Sequence, residues 1–282
     1  QKIDAMPSVG RDLTDFTRLT PQAVVEDNGA INIAGVNNRY NSLMIDGGTQ
    51  NDVFGLAASG VNGGQTGGTP ISMDAIEQFQ VTIAPYDIRQ NGFAGASINA
   101  ITRRGTNEYE GSIYGFLRNE SMAGKTPLVK LDIEGKSDEE IADMRSKLAP
   151  STAMTSGLRI GGPIIKNKLF FFINAEVQRD VTPQPFEFDN YSGNSTKQEI
   201  DDLAAHVLDK YGYDMGGFLD NSLALNSNKF LARIDWNISQ KHKLMYRFSL
   251  TDHKAFKPSR SSNGTINFYN KGEYFPSTTL SS

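Results

Sequence analysis

The sequence contains no cysteine and only three histidines, His206, His242 and His253. The absence of cysteine excludes disulfide frameworks, thiolate zinc sites and a cysteine nucleophile. The three histidines show no metal-ligand spacing, and no Gly-x-Ser-x-Gly motif marks a hydrolase nucleophile. We therefore expect no catalytic residues, no bound metal and no cofactor.

Long apolar runs and a strong net charge are also lacking. The densest apolar run covers only residues 169–173, far short of the roughly 18 to 20 residues that a membrane-spanning helix needs. The net charge is −4 and the basic residues are scattered, so no basic stripe predicts a nucleic-acid partner. No charged segment with an apolar core follows Gln1, so we expect any signal peptide to be removed or to lie outside this sequence.

Glycine (27 residues) and aromatic side chains (10%) are plentiful, which predicts a strand-rich protein with many turns. Residues 1–108 have the pattern of a small mixed α/β unit made of short pieces. The predicted pieces are a helix at 12–19, strands at 31–35, 42–46 and 78–84, a turn at 46–48, and a glycine-rich loop at 60–69. Ser72 is a predicted helix N-cap, with Asp74 in the first turn. The glycine-rich loop lacks the ending of a phosphate cradle, so we interpret it as a mobile loop.

From residue 109 onward the alternation of apolar and polar residues becomes longer. Strands of about ten residues, with aromatics near their ends and charges at mid-strand, are typical of outer-membrane strands that have lipid on one face and a wet lumen on the other. Strands of soluble domains average about 5 to 6 residues. We expect Phe230, Ile234, Phe248 and Leu250 to face lipid, Arg233, Asp235 and Arg247 to face the lumen, and Trp236, Tyr246 and Phe248 to lie at the membrane interface. Leu231 and Met245 break the polar face, and we expect them to pack against the N-terminal unit.

The connections between the predicted strands alternate in length. Five strands are predicted near 109–119, 152–163, 168–178, 229–239 and 243–252. Long links at 120–151 and 179–228 then alternate with tight turns at 164–167 and 240–242, as in transmembrane barrels with long outer loops and short periplasmic turns. The long loops are therefore predicted to be extracellular, and Lys166 and Lys241 to lie at the periplasmic rim. Each long loop is predicted to hold a polar helix, at 137–148 and 197–211, and Ser137 with Glu140 has the spacing of a capping box.

Several of these segments resemble TonB-dependent outer-membrane receptors, most closely the Oar-like branch known from Bacteroidota and myxobacteria. The resembling motifs are RDLTDFTRLTP (11–21), INIAGVNNRYNSLMIDGGTQNDVFGL (31–56), the long block that begins ISMDAIEQFQVTIAPYDIRQ (71–119), and RIGGPIIKNKLFFFINAE (159–176). Together they cover nearly the whole chain. One departure is Ala34, which stands where the family often has the arginine of an Ile-Arg-Gly motif.

The resemblance implies a mixed α/β plug domain, residues 1–108, followed by antiparallel transmembrane strands, residues 109–282, that begin a barrel of about 22 strands. Five strands cannot close a barrel of this kind, which needs at least about eight, so we expect the sequence to be the N-terminal part of a longer protein. The implied partners are outer-membrane lipid and a TonB-type energy-coupling protein in the periplasm. A surface lipoprotein or another envelope complex is a further candidate.

The resemblance also suggests how the plug is held, because plug arginines in related receptors meet barrel carboxylates. Arg103 and Arg104 close the last predicted plug strand, and the alternation of the wall strands points Glu176 and Asp235 inward. We therefore expect a plug–barrel latch between one of these arginines and one of these carboxylates. The alternative is that both arginines are solvated at the periplasmic rim.

The leading hypothesis is thus a plugged outer-membrane transporter, energised through TonB, for the uptake or export of a large substrate. The alternative is a β-rich surface module that binds a ligand or has a structural role without transport. The alternative predicts that residues 109–282 fold in water without detergent. Iron chelates, glycans, peptides and exported proteins all remain open as substrates.

Overall fold

The computed structural model describes residues 20, 22–26, 31–52, 54–55, 57, 59–83, 93–125, 135, 137, 139–141 and 149–281. The helix predicted at 12–19 lies outside these residues. Among the residues described, none of the helices combines the length and the apolar character needed to cross a membrane.

The N-terminal unit, which we define as the described residues from 20 to 102, contains a hairpin and a small sheet. The hairpin pairs β1 (Ala23–Val25) with β2 (Ile31–Ile33). The small sheet has the order β4-β3-β6-β5 and consists of β3 (Ser42–Ile45), β4 (Gly48–Thr49), β5 (Ile76–Ile83) and β6 (Ala96–Thr102). The pair β3–β6 is parallel, and the other two pairs are antiparallel.

Strand β2 is shorter than the predicted strand at 31–35 because the backbone turns immediately after Ile33. Ala34 and Gly35 have φ angles of 55° and 76°, in the left-handed region that ends a strand. The predicted turn at Asp46-Gly47 is confirmed, with φ angles of 49° and 84° that are typical of a type I′ hairpin turn.

The described residues between 110 and 281 include a large antiparallel sheet in which each strand pairs with the next along the chain. Its strands are β7 (Glu110–Asn119), β8 (Thr152–Ile165), β9 (Leu169–Thr182), β10 (Leu223–Asn237), β11 (Lys243–Pro258) and β12 (Gly272–Ser281). Strands β8 to β11 have 14, 14, 15 and 16 residues, longer than the predicted strands.

Within the part of the chain that the structure describes, the sheet therefore has six strands, and the prediction of five was wrong because it missed β12. That segment contains Pro276 and few apolar residues, so its alternation is weak. Proline cannot donate to a ladder and is tolerated mainly on edge strands. Among the described residues β12 pairs with β11, and Pro276 lies opposite Lys254 in this ladder.

The two faces of the large sheet differ as predicted. The outer face, turned away from the N-terminal unit, exposes Phe230, Ile234 and Trp236 by 38 to 44%, together with Tyr246 at 55%. On the inner face, Leu231 is 2% exposed and belongs to the apolar cluster of the N-terminal unit, which confirms its predicted packing. The same prediction for Met245 is wrong, because 42% of this residue is exposed.

The loop between β9 and β10 contains the predicted helix, α1 (Lys197–Tyr211). Thr196 and Glu199 form a capping box at its start, and Gly212 ends it with a φ angle of 65°. The hydrogen bonds from Thr196 hold the pKa of the Glu199 carboxyl below its usual range. In the first long loop, Ser137 and Glu140 also make the predicted capping contacts, while most of that predicted helix lies outside the described residues.

Candidate functional site: the contact between the N-terminal unit and the large sheet

Asp46 is the centre of the first polar contact. The Asp46-Gly47 turn between β3 and β4 places its carboxylate at the end of the small sheet, beside the end of β6. There it accepts hydrogen bonds from the backbone N–H of Thr102 (2.9 Å) and from the Thr102 hydroxyl (2.6 Å). These two bonds fix the orientation of the carboxylate toward the large sheet.

Two arginines of the large sheet approach this carboxylate. Arg233 Nη1 lies 3.4 Å from Asp46 Oδ1, and Arg247 Nε lies 3.4 Å from Asp46 Oδ2. The three side chains are only 5 to 11% exposed. Ion pairs that are buried in this way are costly to break, because separation leaves a charge without compensation.

The two arginines differ in their other partners. Arg233 also holds Asp235, its neighbour on the inner face of β10, through two hydrogen bonds of 2.8 Å. Arg247 donates to hydroxyl and carbonyl oxygens, namely Ser249 Oγ (3.1 Å), Ser281 Oγ (3.2 Å) and Ile45 O (3.4 Å). If Asp46 is removed, Arg233 therefore keeps the carboxylate of Asp235. Arg247 has no second carboxylate partner among the ion pairs of the described residues.

Glu176 is the centre of a second polar contact, in which the ion pair lies within the large sheet. Glu176 and Lys229 stand opposite each other on β9 and β10, are both 6% exposed, and approach to 3.0 Å. The Glu176 carboxylate also accepts hydrogen bonds from the hydroxyls of Ser72 (2.7 Å) and Tyr114 (2.9 Å). Lys229 donates to the hydroxyl of Thr69 at 2.7 Å. The N-terminal unit thus meets this ion pair with two hydroxyl groups and no charge.

An apolar cluster lies between the two polar contacts. Phe172 of β9 and Leu231 of β10 pack with side chains of the N-terminal unit, and each is less than 5% exposed. Their partners are Ile45, Ile71, Met73, Ala75, Ile76 and Ala100. The contact therefore excludes water at its centre and satisfies its buried charges at the margins.

The glycine-rich loop lies against β11 and β12. Thr66 Oγ1 is 3.3 Å from Nδ1 of the buried His253, Lys257 donates to the carbonyl of Gln65, and the hydroxyl of Thr251 donates to the carbonyl of Pro70 (3.1 Å). A Cβ atom on Gly68 would overlap the His253 ring. Gly68 thus allows the loop to approach the sheet closely, because any side chain at this position would collide with His253. The sequence did not reveal this role.

The segment between β6 and β7 is attached to the large sheet. Asn107 and Asn167 exchange hydrogen bonds, including one of 2.7 Å from the backbone N–H of Asn167 to Asn107 Oδ1, and the Tyr109 hydroxyl donates to Pro163 O (2.8 Å). A Cβ atom on Gly105 would overlap the carbonyl oxygens of Phe171 and Gly162. A short connector, packed on the β8–β9 turn, therefore joins the N-terminal unit to the large sheet.

The predicted latch residues have the following positions. Glu176 and Asp235 are on the inner face, where their recorded charged partners are Lys229 and Arg233 of the large sheet. Arg103 donates through Nε to the carbonyl of Asp74 (3.2 Å), and Arg104 lines a polar cavity with Arg103, Arg159 and Glu77. The predicted latch has its arginine on the N-terminal unit and its carboxylate on the sheet. In the observed ion pairs between the two parts, the carboxylate, Asp46, is on the N-terminal unit, and the arginines, Arg233 and Arg247, are on the sheet. The latch itself stays a prediction.

Three site residues have roles that the sequence did not reveal. The sequence pattern predicts only a turn at Asp46, does not distinguish Lys229 from the other polar residues of its strand, and predicts Ser72 to be a helix cap. Ser72 does precede a single 3-10 turn, Met73–Ala75, but its hydroxyl makes no capping bond and binds Glu176. The signal for Lys229 was available, because it alternates with the outward residues of β10 and faces the lumen side of the pattern.

Among the described residues, no group of three or more histidine, aspartate or glutamate side chains is arranged to hold a metal ion. The site is instead a docking surface in which an apolar patch is bordered by buried ion pairs. This geometry can hold two parts of one chain together.

Comparisons with known proteins first define a class. Residues 101–190 match a family model described as an outer membrane beta barrel domain. The crystal structure of the siderophore receptor PirA from Acinetobacter baumannii has a TM-score of 0.57 at 17% identity, over 92% of this chain and 31% of that one. The outer membrane transporter YddB from Escherichia coli has a TM-score of 0.56 at 12% identity, over 91% of this chain and 32% of that one. The chain is therefore a partial outer-membrane β-barrel, and at these identities the two structures inform the fold alone.

A sequence relative narrows the class. The chain is 24% identical over 247 residues to the TonB-dependent transporter Oar of Myxococcus xanthus. The aligned region covers 86% of this chain and 21% of Oar. Together with the barrel model and the receptor-like fold, this homology supports a TonB-dependent receptor, located in the outer membrane of a Gram-negative bacterium. The chain spans about a fifth of the length of Oar and about a third of the two structures.

Proposed function

We propose that the whole protein is a transporter, energised through a TonB-type protein in the periplasm, that takes up or exports a large substrate. Residues 1–108 act as the plug, and residues 109–282 begin the barrel wall, with the loops between β7 and β8 (120–151) and between β9 and β10 (183–222) outside the cell. The observation that carries this proposal is the buried contact of Asp46 with Arg233 and Arg247. It fixes the N-terminal unit against the face of the sheet opposite to the exposed apolar one.

The composition of the contact supports a plug that moves. A permanent core would be mainly apolar, whereas here the hydroxyls of Ser72, Thr69 and Thr66 and the carbonyls of Gln65 and Pro70 meet polar groups of the sheet. Such groups can bond water when the contact opens, so their separation costs less than exposing an equal apolar area. The bond between Thr251 and Pro70 joins neutral groups and is worth about 1 kcal/mol net, whereas the bonds to Glu176, Lys229 and Lys257 are worth roughly 1.5 to 3 kcal/mol each.

The proposed partners follow from the same arrangement. Outer-membrane lipid covers the exposed apolar face that includes Phe230, Ile234 and Trp236, with Trp236, Tyr246 and Phe248 at the membrane interface. The TonB-type protein acts from the periplasmic side, where the turns at 166–168 and 239–242 lie in this orientation. A surface lipoprotein or another envelope complex is a further proposed partner of the outer loops.

Deleting residues 1–108 from the full-length protein tests the plug. If these residues block the lumen, cells carrying the deletion become sensitive to vancomycin, which is too large for ordinary porins, while cells with equal amounts of the intact protein stay resistant. A folded, membrane-inserted deletion protein that leaves resistance unchanged contradicts the proposal. Energisation is tested separately, by comparing growth of deletion and wild-type strains on iron chelates, glycans and peptides with and without a protonophore.

The non-transporting alternative is distinguished by solubility. If the large sheet belongs to a soluble surface module, residues 109–282 fold in water without detergent. If it belongs to a barrel wall, the same segment aggregates unless detergent or lipid covers its outer face.

A further inference from the structure

Two loops at the same end of the large sheet are in contact with each other. The helical loop, residues 183–222, joins β9 to β10 and contains α1, and the short loop, residues 259–271, joins β11 to β12. The β10–β11 hairpin separates them along the chain, so their contact is formed by tertiary packing. We call the body made of these two loops the cap.

Buried polar side chains join the two loops. The side-chain amide of Asn221 in the helical loop donates to the carbonyl oxygens of Ser259 (2.7 Å) and Asn267 (2.8 Å) in the short loop. In the other direction, the hydroxyl of Ser261 donates to the carbonyl of Phe218 (2.9 Å). Asn221 and Ser261 are 1 and 2% exposed. Each loop thus satisfies carbonyl groups of the other, and leaving such groups unpaired in a buried position is costly.

The backbones of the two loops are paired as well. The N–H of Tyr269 donates to the carbonyl of Gly217 at 2.6 Å. The N–H of the next residue, Asn270, donates to the carbonyl of Met215 at 3.1 Å. The end of the short loop therefore runs beside the last part of the helical loop, in the manner of a short additional strand.

Aromatic side chains from both loops form a small core. The ring of Phe218, which is buried, lies 5.7 Å from the ring of Phe268 in the short loop and 6.2 Å from that of Phe188. Both pairs are edge-to-face, an arrangement that is favourable beyond the area it buries. Separation of the loops would expose Phe218 to water, so the two loops share one core.

The junctions between the cap and the strands are stiff. Pro183 and Pro185 follow β9, and Pro258 ends β11. The proline ring fixes φ near −65°, which limits rotation at these points. The side chain of Gln184 donates to the carbonyl of Pro258 (3.4 Å), and that of Arg260 donates to the carbonyl of Pro185 (2.8 Å). These cross-contacts oppose a swing of one loop without the other.

We infer that the helical loop and the short loop fold and move as one rigid cap, so that neither is a separate flap. A ligand that reaches the cap meets a surface made by both loops, and a movement of the cap carries both together. In the orientation proposed above, the cap lies outside the cell. Joint folding is independent of transport, so its failure would leave the proposed function in place.

Amide hydrogen exchange of the full-length protein in detergent tests the cap. Asn221→Ala removes two hydrogen bonds to the short loop. We expect exchange to accelerate together in residues 186–219 and 262–270, by at least about tenfold, because one cooperative unit opens. The matched control, Asn194→Ala, changes an exposed asparagine of the helical loop and should leave both rates unchanged. Acceleration confined to the helical loop would overturn the inference.

Phe268→Ala is the reciprocal variant and serves also if Asn221→Ala fails to assemble. It removes the ring that packs on Phe218 from the side of the short loop. We expect faster exchange in residues 212–220 as well as in residues 262–270. If exchange accelerates in the short loop alone, the two loops fold separately and the single cap is refuted.

Discussion

The Asp46 contact and the Glu176 contact hold the same two parts of the chain together in different ways. At Asp46 the opposite charges lie on different parts, so separation leaves Arg247 without the carboxylate recorded beside it. At Glu176 the ion pair with Lys229 lies within the large sheet, and the N-terminal unit contributes only the hydroxyls of Ser72 and Thr69. The first contact therefore resists separation, and the second permits it without leaving an unpaired charge.

The largest effect is expected from breaking the ion pair within the sheet. Glu176→Gln leaves the buried Lys229 without its carboxylate, which typically costs about 3 to 5 kcal/mol. We expect a lower urea midpoint for unfolding of the full-length barrel in detergent. The double variant Glu176→Gln/Lys229→Met should recover most of this loss, because it removes both charges. If the double variant is as unstable as the single one, the loss does not come from the unpaired charge of Lys229, and the prediction is wrong.

The next effect tests the contact that joins the two parts. Asp46→Asn removes the charge that faces Arg233 and Arg247, and the cost to docking is roughly 2 to 5 kcal/mol. We expect vancomycin sensitivity and faster protease cleavage within residues 1–108, with barrel unfolding in urea nearly unchanged. The matched control is Asp252→Asn, a carboxylate on β11 that bonds Thr278 of β12. Equal leakage in both variants would show that Asp46 has no special role.

The latch predicted from the sequence gives the third test. Arg103→Glu or Arg104→Glu should make the outer membrane leaky to vancomycin, and Asp235→Arg should restore the seal in at least one pairing. Glu176→Arg is unsuitable as the rescue variant, because it would place a second cation beside the buried Lys229. Because Arg104 lines an open polar cavity, we expect a contribution of about 1 kcal/mol or less from this residue. If neither reversal alters permeability, the arginines only end the last strand of the small sheet.

A smaller effect is expected at the hydroxyl contact. Ser72→Ala removes one hydrogen bond to a carboxylate that retains Tyr114 and Lys229, so docking should weaken by about 1 to 2 kcal/mol. Protease cleavage of residues 1–108 should accelerate much less than in Asp46→Asn. If cleavage is faster in Ser72→Ala than in Asp46→Asn, the Glu176 contact holds the two parts together more strongly than the Asp46 contact, contrary to our expectation.

The smallest effect is a pH dependence in the loop that contains α1. Hydrogen bonds from Thr196 lower the pKa of Glu199, so this capping contact is present above the ordinary pKa of a glutamate and is lost as pH falls through the lowered value. We expect amide exchange at residues 197–200, corrected for intrinsic rate, to accelerate as the pH falls below the ordinary pKa range of a glutamate. Glu199→Gln should remove most of this pH dependence, and an unchanged profile would assign it to another group.

The sequence predicted the strands of the large sheet well because their two faces meet different surroundings, which imposes a strict period of two on residues such as Ile234 and Arg233. It missed β12, where Pro276 and a polar composition hide the strand. Asp46 could be predicted as a turn residue from local chemistry, since Asp-Gly favours a positive φ angle. Its partners, Arg233 and Arg247, are about 190 to 200 residues away, and no local pattern specifies such a pairing.

The connector at Gly105, Asn107 and Tyr109 bears on how the barrel would close again after opening. Because these residues are attached to the β8–β9 turn, only residues 103 and 104 separate the fixed point from the end of the small sheet. The three Cα–Cα steps from Thr102 to Gly105 span at most about 11 Å, so the end of the small sheet stays close to its docking surface when the N-terminal unit is displaced. Rebinding is then an intramolecular event at an effective concentration of millimolar order or higher, and the rate of resealing should be independent of how many copies the membrane holds.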